Sequence, residues 1–379
     1  MKLSIPNKII LACFGTFNSY GMLRTLNKIG IKPYLILDNR KNTATAKSRY
    51  GGPKLFFKTA EEVPGILLEH FSKEDYRPIV ICCDDAVQSA VDLRFDDLKE
   101  KFILSNIDNR QGAITEMMAK QVQSTLASKC GVLTPKSWVC KAHSEIPTDI
   151  IYPCICKPLK SIQGTKDDIR ICRDSTQLRD ALDSRDYLIQ QFIEKDYEVI
   201  LWGTSVSDGE YYISGVTHKI RQYPTEYGLS SYCVLESFEK HPGLDKNSII
   251  RFLKELKYIG MFSIEMAVKD NRYYMVEINL RNDGKQHFST VAGANLPLLY
   301  ISSLLNIPYE LPSPRYPTYA MGENTDYRQI FRHKVSFHIW LRDLFRTKSF
   351  YIINIKDPNA WLSGYCHKAV NFIKHKLRH

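Results

Sequence analysis

A hairpin that carries two glutamates and an asparagine near one end constrains this chain more than any other segment. Its sequence, FSIEMAVKDNRYYMVEINLRNDG, covers residues 262–284. Side chains alternate between the two faces of a strand, so Glu277 and Asn279 share one face. If residues 270–272 form a three-residue turn, Glu265 lies directly across from Glu277. Two opposed carboxylates repel each other, and a bound divalent cation such as magnesium would relieve that repulsion.

This register separates an apolar face from a polar face, whereas a two-residue turn would mix them, because a slip of one residue exchanges the faces. The expected apolar face comprises Phe262, Ile264, Met266, Val268, Tyr274, Val276, Ile278 and Leu280. The expected polar face comprises Ser263, Glu265, Ala267, Met275, Glu277 and Asn279. A solvated face with incidental acids is the alternative interpretation, and only the other motifs of the chain can decide between the two.

The length of 379 residues favours two or three domains. No apolar stretch is long enough to span a bilayer, and the first apolar run lacks a cleavage site, so we expect it to be a buried strand. The ten cysteines include no CxxC pair, which argues against a zinc ribbon. Cysteines inside apparent strands are typical of small buried hydrophobes, and a reducing cytoplasm is the expected location.

The formal net charge of +11 is partly concentrated in the last residues, CHKAVNFIKHKLRH. No zinc-finger or RNA-binding signature accompanies it, so we expect no nucleic-acid partner. An anionic small molecule or a membrane surface would use the same charge. The predicted helix over residues 361–377 could lie on an anionic membrane. We favour a helix that packs on the core and exposes a basic outer face.

Strand and helix patterns alternate over residues 1–105, which predicts a Rossmann-like parallel sheet covered by helices. The apolar runs that indicate its strands occupy residues 8–14, 32–37, 78–83 and 101–104. The connections after the strands carry Asn18, Asp38 and the pair Asp84-Asp85, where such sheets bind ligands. These side chains and Arg24 could line a cleft, or could only cap helices and form turns. No GxGxxG motif supports a dinucleotide site.

A second region begins near residue 106. A helical pattern at 115–129 is stopped by Gly131, and a β-rich stretch follows. Helices are predicted at 247–258, 296–305 and 334–344, and the proline-rich residues 308–319 indicate a linker.

Several lysines of this region lie on predicted helices and strands. Lys120 lies on a predicted helix, Lys157 ends the strand YPCICKP, and Lys219 shares a strand face with Arg221. The polar loop 160–166, with Gly164, could fold over phosphates and offer its backbone N–H groups. Taken singly, each lysine is more simply a solvated surface charge.

Together these residues resemble the ATP-grasp superfamily, over residues 106–305. The motifs that carry the resemblance are, in chain order, Lys120 with Gly131 and Thr134-Pro135, Lys157-Pro158, the hinge Gln190-Gln191-Phe192-Ile193 followed by Glu198, Glu265 on one strand, and Glu277-x-Asn279 with Arg281 and Gly284 on the next. The hinge is one residue longer before Glu198 than is usual, with Lys195-Asp196 where a glycine is common.

The resemblance implies a site for ATP and two magnesium ions. Glu265, Glu277 and Asn279 are the implied metal ligands. The implied nucleotide-binding residues are Lys120, Lys157, Gly164, Gln190, Gln191, Phe192, Ile193, Glu198 and Lys219. The implied catalytic residues are Arg281 and Lys219. Arg281 would stabilise an acyl phosphate and the tetrahedral intermediate that follows. Residues 160–166 would close as a lid. Asn282, Asp283, Lys285 and His287 could face the acceptor, although a satisfied surface histidine is the simpler interpretation of His287.

The ends of the chain resemble carboxylate–amine ligases such as D-aspartate ligase, through FGTFNSYGMLRTLNKIGIKPYLI, AGANLPLLY, TDYRQIF and IKDPNAW. The implied architecture is an N-terminal Rossmann-like domain (1–105), a two-lobed ATP-grasp domain (106–305) and a partly helical C-terminal extension (306–379). The implied reaction is ADP-forming ligation of a small carboxylate to an amine, with cell-surface or polysaccharide precursors as candidate substrates. Carboxylate–thiol ligation, phosphorylation and a non-catalytic nucleotide-binding module are the alternatives, and a homo-oligomer is left open.

Overall fold

The computed structural model describes residues 3–40, 43–142, 144–158, 170–206, 209–224 and 228–363, and its strands form three sheets. A parallel sheet is followed by two sheets that are mainly antiparallel, which confirms the predicted mixed α/β class. The predicted domain boundaries stay predictions.

The first sheet has the strand order β3-β2-β1-β4, with all pairs parallel. Its strands are β1 (Ile9–Cys13), β2 (Tyr34–Asp38), β3 (Lys54–Phe57) and β4 (Ile79–Cys82). The helices of this region are α1 (Phe17–Lys28), α2 (Ala44–Lys47), α3 (Val63–Phe71), α4 (Asp85–Asp92) and α5 (Phe95–Leu98). Strand β1 is buried on both faces, since Leu11 packs into one core cluster and Ile10 into another. Its unbroken apolar run is therefore typical of a covered parallel strand. The predicted strand at 101–104 is reduced to a single bridge from Ile103 to Ile79.

A small antiparallel sheet of order β6-β9-β7-β8 follows. The elements from residue 106 to residue 191 are β5 (Asn106–Ile107), α6 (Ala113–Met117), α7 (Lys120–Lys129), β6 (Ser137–Cys140), β7 (Cys154–Pro158), β8 (Arg170–Cys172), α8 (Ser175–Ala181) and β9 (Tyr187–Gln191). Cys154, Cys156 and Cys172 pack in its core with Leu178 and Ile189, as small hydrophobes do.

The large sheet has the order β14-β13-β10-β11-β12-β15-β16, and β5 also pairs with β13. Its remaining strands are β10 (Tyr197–Ser205), β11 (Tyr211–Tyr223), β12 (Leu229–Glu236), β13 (Tyr258–Lys269), β14 (Arg272–Asn279), β15 (Thr318–Met321) and β16 (Ser349–Phe350). The remaining helices are α9 (Lys246–Leu256), α10 (Gln286–Ala292), α11 (Leu296–Leu304), α12 (Glu323–Asp326), α13 (Arg328–Phe331) and α14 (Phe337–Arg346). Val199 and Ile264 face the core cluster that holds residues of α6, α7 and α9, whereas Ile200 and Trp202 face residues of α10 and α11.

The hairpin β13–β14 pairs Glu265 with Glu277 as predicted, but the predicted turn is wrong. Lys269 pairs with Arg272, so the turn has two residues, Asp270 and Asn271, both with positive φ. That geometry belongs to the two-residue turns that favour Asp and Asn.

A β-bulge restores the pairing of the two glutamates. Met266 pairs with Met275 and Glu265 with Glu277, which leaves Val276 as the extra residue. Because of the bulge, the predicted faces of β14 are wrong for Tyr274, Met275 and Val276. Tyr273 and Met275 lie in the core, whereas Val276 is exposed and Tyr274 is half-buried.

In the C-terminal part, the helix predicted at 334–344 is observed as α14. No helix in the described ranges is both long and apolar enough to cross a membrane. Most of the predicted basic helix, residues 364–377, lies outside the described residues, so the membrane hypothesis stays untested.

Candidate active site

The two opposed glutamates are each paired with a lysine. Lys120, the first residue of α7, places its Nζ 2.7 Å from Oε2 of Glu277. Lys219 on β11 places its Nζ 2.7 Å from Oε2 of Glu265. Asn279 lies on the same face and donates from Nδ2 to Ser263 Oγ at 3.3 Å. The structure therefore brings the three predicted metal ligands together with two predicted phosphate-binding lysines.

Lys219 is the most buried cation of this cluster, with 7% of the residue exposed. Its Nζ also donates to Oε2 of Glu198 at 2.7 Å. Burial lowers the pKa of Lys219, but the neighbouring carboxylates Glu265 and Glu198 outweigh it, so the pKa lies above its ordinary value. Lys219 therefore stays charged.

Glu198 has three side-chain donors. Lys195 and Lys219 pair with its two oxygens, and Gln222 Nε2 donates to Oε2 at 3.0 Å. Burial raises the pKa of Glu198, but Lys219 and Lys195 lower it by more, so the pKa lies below its ordinary value. Lys195 belongs to the lengthened hinge, so the departure from the usual motif supplies a cation to the predicted ribose ligand. A cavity of about 620 Å³ adjoins Lys195 and Lys219.

Lys157 approaches from the small sheet. Its half-buried side chain lies 3.5 Å from Oε1 of Gln190 on the neighbouring strand. Burial and the positive charge of Lys120 lower the pKa of Lys157 to about 8, although Glu277 opposes this shift. Lys157 thus belongs to the same electrostatic cluster as Lys120 and Glu277, and it is carried by the small sheet.

The hinge residues follow β9. The N–H of Gln191 donates to Lys136 O and the N–H of Phe192 donates to Pro153 O, both at 2.8 Å. These bonds fix the backbone that leads from the small sheet to Glu198. Gly164 and the predicted lid 160–166 lie outside the described residues.

Arg281 follows β14 and points to the N-terminal sheet. Its Nε and Nη2 donate to the two oxygens of Asp85 at 2.7 and 2.8 Å, and Nη2 lies 3.3 Å from Asn279 Oδ1. Burial lowers the pKa of Arg281, but Asp85 raises it above the ordinary value. Beside them, burial raises the pKa of Asp84 to about 6, although the N–H of Phe14 donates to this carboxyl at 2.7 Å. The carboxyl edge of the parallel sheet therefore borders the predicted catalytic arginine.

Other predicted residues of that edge have structural roles. Asn18 and Asn282 bond each other, and Asn18 also donates to Cys83 O. Arg24 donates to Phe350 O at 2.5 Å. His287 Nδ1 lies 2.8 Å from Thr25 Oγ1, and burial lowers the pKa of this ring well below its ordinary value. His287 is therefore a satisfied, neutral histidine, but the expected surface position is wrong, because the side chain is buried.

Sequence reasoning missed the C-terminal residues that border the site. Tyr351 stacks on Phe17 with ring centroids 5.7 Å apart, and its hydroxyl lies 3.1 Å from Ser230 Oγ. Glu323 accepts the backbone N–H groups of Tyr351, Ile352 and Ile353 at 2.9, 2.9 and 2.7 Å. No local pattern in the sequence signals a carboxylate that binds backbone about 30 residues away.

Arg221 was expected to share a strand face with Lys219 near the phosphates. It instead donates to the buried carboxylates of Asp326 and Asp343, and β11 has register shifts on both sides of Arg221. Arg221 therefore ties the large sheet to α12 and α14.

Among the described residues, no group of three or more His, Cys, Asp or Glu side chains could hold a metal ion. The predicted set has two carboxylates and one amide. Magnesium usually takes one or two carboxylates together with substrate phosphates, so this donor set fits magnesium bound with a nucleotide.

No protein-family model matches the chain. The chain is 29% identical over 182 residues to the carbamoyl phosphate synthase large chain of Thermotoga neapolitana, a match that covers 44% of this chain and 16% of that protein. The matched segment is thus about a sixth of that relative's length.

Solved structures match over most of the chain. The N5-carboxyaminoimidazole synthetase from Staphylococcus aureus complexed with ADP aligns with a TM-score of 0.64 at 14% identity, over 87% of this chain and 89% of that one. The biotin carboxylase from Campylobacter jejuni, solved in an ATP complex, aligns with a TM-score of 0.62 at 17% identity, over 82% and 74%. These proteins are ATP-grasp enzymes, and this chain has their fold. The resemblance to ATP-grasp ligases is confirmed at that level.

Proposed function

We propose that this protein is an ADP-forming ligase that activates a carboxylate as an acyl phosphate for attack by an amine. The observation that carries the proposal is the cluster in which Glu265, Glu277 and Asn279 meet Lys120 and Lys219 across from Lys157. Cations and oxygen ligands in this arrangement fit a magnesium–triphosphate group. Phosphoryl transfer needs such positioning and charge neutralisation more than covalent help from the protein.

The residues around the cluster suggest how a nucleotide would lie. Lys120, Lys157 and Lys219 would bind phosphate oxygens, and Glu198 would accept from the ribose. The N–H groups of Gln191 and Phe192 are used internally, whereas in the described part of the chain the N–H of Ile193 has no protein acceptor. We therefore expect the N–H of Ile193 and the backbone carbonyls of the hinge to hydrogen-bond adenine. The side chain of Gln190 would keep its hydrogen bond with Lys157.

Glu265, Glu277 and Asn279 would hold magnesium, which neutralises phosphate charge when it is bound. The number of ions, expected to be two, belongs to this proposal. The lysines now paired with the glutamates would turn to the phosphates as the glutamates accept the metal.

Arg281 would stabilise the acyl phosphate and then the tetrahedral intermediate formed by amine attack. One such preorganised donor is typically worth about 3 kcal/mol of transition-state stabilisation. Asp85 holds the guanidinium in place by two parallel hydrogen bonds, so Arg281 is oriented before a substrate arrives. The acid would be phosphorylated between Arg281 and the lysine cluster.

The decisive experiment is isotope transfer. The protein is incubated with MgATP, an amine mixture and carboxylic acids labelled with ¹⁸O in the carboxylate. An acyl phosphate passes one labelled oxygen to inorganic phosphate, so labelled phosphate with stoichiometric ADP supports the proposal. Labelled phosphate with a thiol but no amine would identify a carboxylate–thiol ligase. ATP binding without any ADP release would identify a non-catalytic module.

The comparisons do not support the expectation of cell-surface or polysaccharide precursors. A cytoplasmic location, small-molecule partners and any oligomeric state stay predictions.

A further inference from the structure

Lys285, at the start of α10, is a buried cation that has no anionic partner among the residues the structure describes. Only 5% of the residue is exposed. Within the described part of the chain, its ammonium forms no ion pair or hydrogen bond, and Nζ lies 5.9 Å from the centroid of the Tyr351 ring. Burying an uncompensated charge is costly, so such residues usually have a ligand or a shifted pKa. Burial and the positive charge of Lys219 lower the pKa of Lys285.

The carboxylates near Lys285 are already engaged. Asp283 accepts from Ser263 Oγ at 2.8 Å and from the backbone N–H of Lys285 at 3.1 Å. Glu265 pairs with Lys219. If magnesium occupied Glu265, the local charge would become more positive. Asp283 and Glu265 favour the charged form of Lys285 from a distance, but neither carboxylate pairs with its ammonium.

The surroundings of Lys285 are firmly built. A Cβ on the preceding residue, Gly284, would come within 2.6 Å of Phe17 and 2.9 Å of Asn18, so the backbone there is packed against α1. Tyr351 stacks on Phe17, and Glu323 holds the backbone of Tyr351. The three parts of the chain thus converge on one lysine, whose flexible four-carbon stem can still turn its ammonium toward a ligand.

We propose that Lys285 binds an anionic group, a carboxylate or a phosphate, of the acid or the amine substrate. The inference rests on the proposed function and narrows its substrates to pairs in which the acid or the amine carries an anionic group besides the carboxylate that is activated. A neutral partner at this position would leave the lysine unpaired. Lys285 is a binding residue in this assignment and takes no part in proton transfer.

The test separates the two possible sources of the anion. The wild type is first titrated with MgADP, and failure to bind it would count against the proposed function independently of Lys285. The protein with MgADP present is then titrated calorimetrically with succinate, L-aspartate, inorganic phosphate and ethanolamine. Lys285→Met and Lys285→Arg are compared with Lys257→Met, which removes an exposed lysine paired with Asp108.

We expect one or more anionic probes to bind, and Lys285→Met to weaken that binding by about 10- to 100-fold, the value of a charge-assisted contact. Lys285→Arg should retain part of the affinity, and Lys257→Met all of it. Loss for succinate points to the acid subsite, and loss for L-aspartate alone to the amine subsite.

Thermal unfolding separates binding from packing. Removing an unpaired buried cation should leave the melting temperature of Lys285→Met equal to or above that of the wild type. Three results would overturn the inference: no binding of any anionic probe, equal affinities in wild type and Lys285→Met, or a loss confined to MgADP. A lower melting temperature with unchanged probe affinity would assign Lys285 to packing instead.

Discussion

Lys219 reaches across an intervening strand to pair with Glu265. The lysine is on β11 and the glutamate on β13, with β10 between them, yet Nζ and Oε2 are 2.7 Å apart. On the way, Nζ also bonds Glu198 of β10. The lysine thus holds both an acid expected to bind metal and the acid expected to bind ribose. Nucleotide binding would require it to exchange these partners.

Replacing Glu277 with glutamine should abolish turnover. The change removes one carboxylate from the expected metal set and keeps the shape of the side chain. ADP release should fall at least about 100-fold, whereas the melting temperature should change little, because the Lys120–Glu277 pair is partly exposed. Glu116→Gln, which removes an exposed partner of Arg110, is the matched control and should keep full activity. Near-normal turnover in Glu277→Gln would refute the metal assignment.

Lys219→Met should destabilise the protein and make its stability depend on magnesium. Breaking a buried pair costs about 3–5 kcal/mol, and about 1–3 kcal/mol is expected here because both carboxylates keep some contact with water. Magnesium would replace the lost positive charge, so MgCl₂ should raise the melting temperature of Lys219→Met more than that of the wild type. Differential scanning calorimetry with and without MgCl₂ measures the melting temperatures of both proteins. An equal magnesium response would contradict the proposed position of the metal.

Lys157 should take up a proton when the nucleotide binds. Its pKa in the folded protein, about 8, is below the 10.5 of a free lysine. Between these two values the unfolded chain binds more protons, so this residue makes the free energy of unfolding rise with pH. Its destabilising contribution is fully present below pH 8, where the buried amine is charged.

Bound phosphates should return the pKa of Lys157 toward its ordinary value. Calorimetric titration with MgADP at about pH 8.5, in two buffers of different ionisation enthalpy, should therefore report net proton uptake. The uptake should disappear in Lys157→Met. Identical uptake in that variant would assign the proton to another group.

Asp85→Asn should lower turnover without weakening nucleotide binding. Arg281 would lose its bidentate carboxylate partner and its fixed orientation, so kcat should fall about tenfold while the affinity for MgADP is retained. The pair is largely exposed on the Asp85 side, and little stability should be lost. Asp96→Asn, at an exposed pair with Lys99, provides the control. An equal loss of MgADP affinity would show that Asp85 acts on the nucleotide.

Much of the site was predictable because its motifs are local. Period-two alternation placed Glu277 and Asn279 on one face, and a buried apolar run identified the parallel sheet. Ordered motifs then placed Lys120, Lys157 and Lys219 in the same site. The hairpin and the parallel sheet were inferred from neighbouring residues, whereas the three lysines were placed together by the order of motifs that carry the resemblance.

The parts that were not predictable depend on distant contacts. The bulge at Val276 follows from a balance between the turn at Asp270-Asn271 and burial of Met275, which periodicity alone does not weigh. Glu323 and Tyr351 reach the site through partners elsewhere in the chain. The partners of Arg221 are buried carboxylates about 100 residues away, so its sequence neighbours gave no sign of them.

The bulge at Val276 also makes the two ends of the hairpin independent of each other. The turn obeys the local preferences of Asp270 and Asn271, whereas the open end obeys the Glu265–Glu277 pairing. The extra residue Val276 lies between them and accommodates the one-residue difference in pairing register. Changes in the turn during evolution can therefore be accommodated at Val276, so the acids are insulated from mutations at the tip.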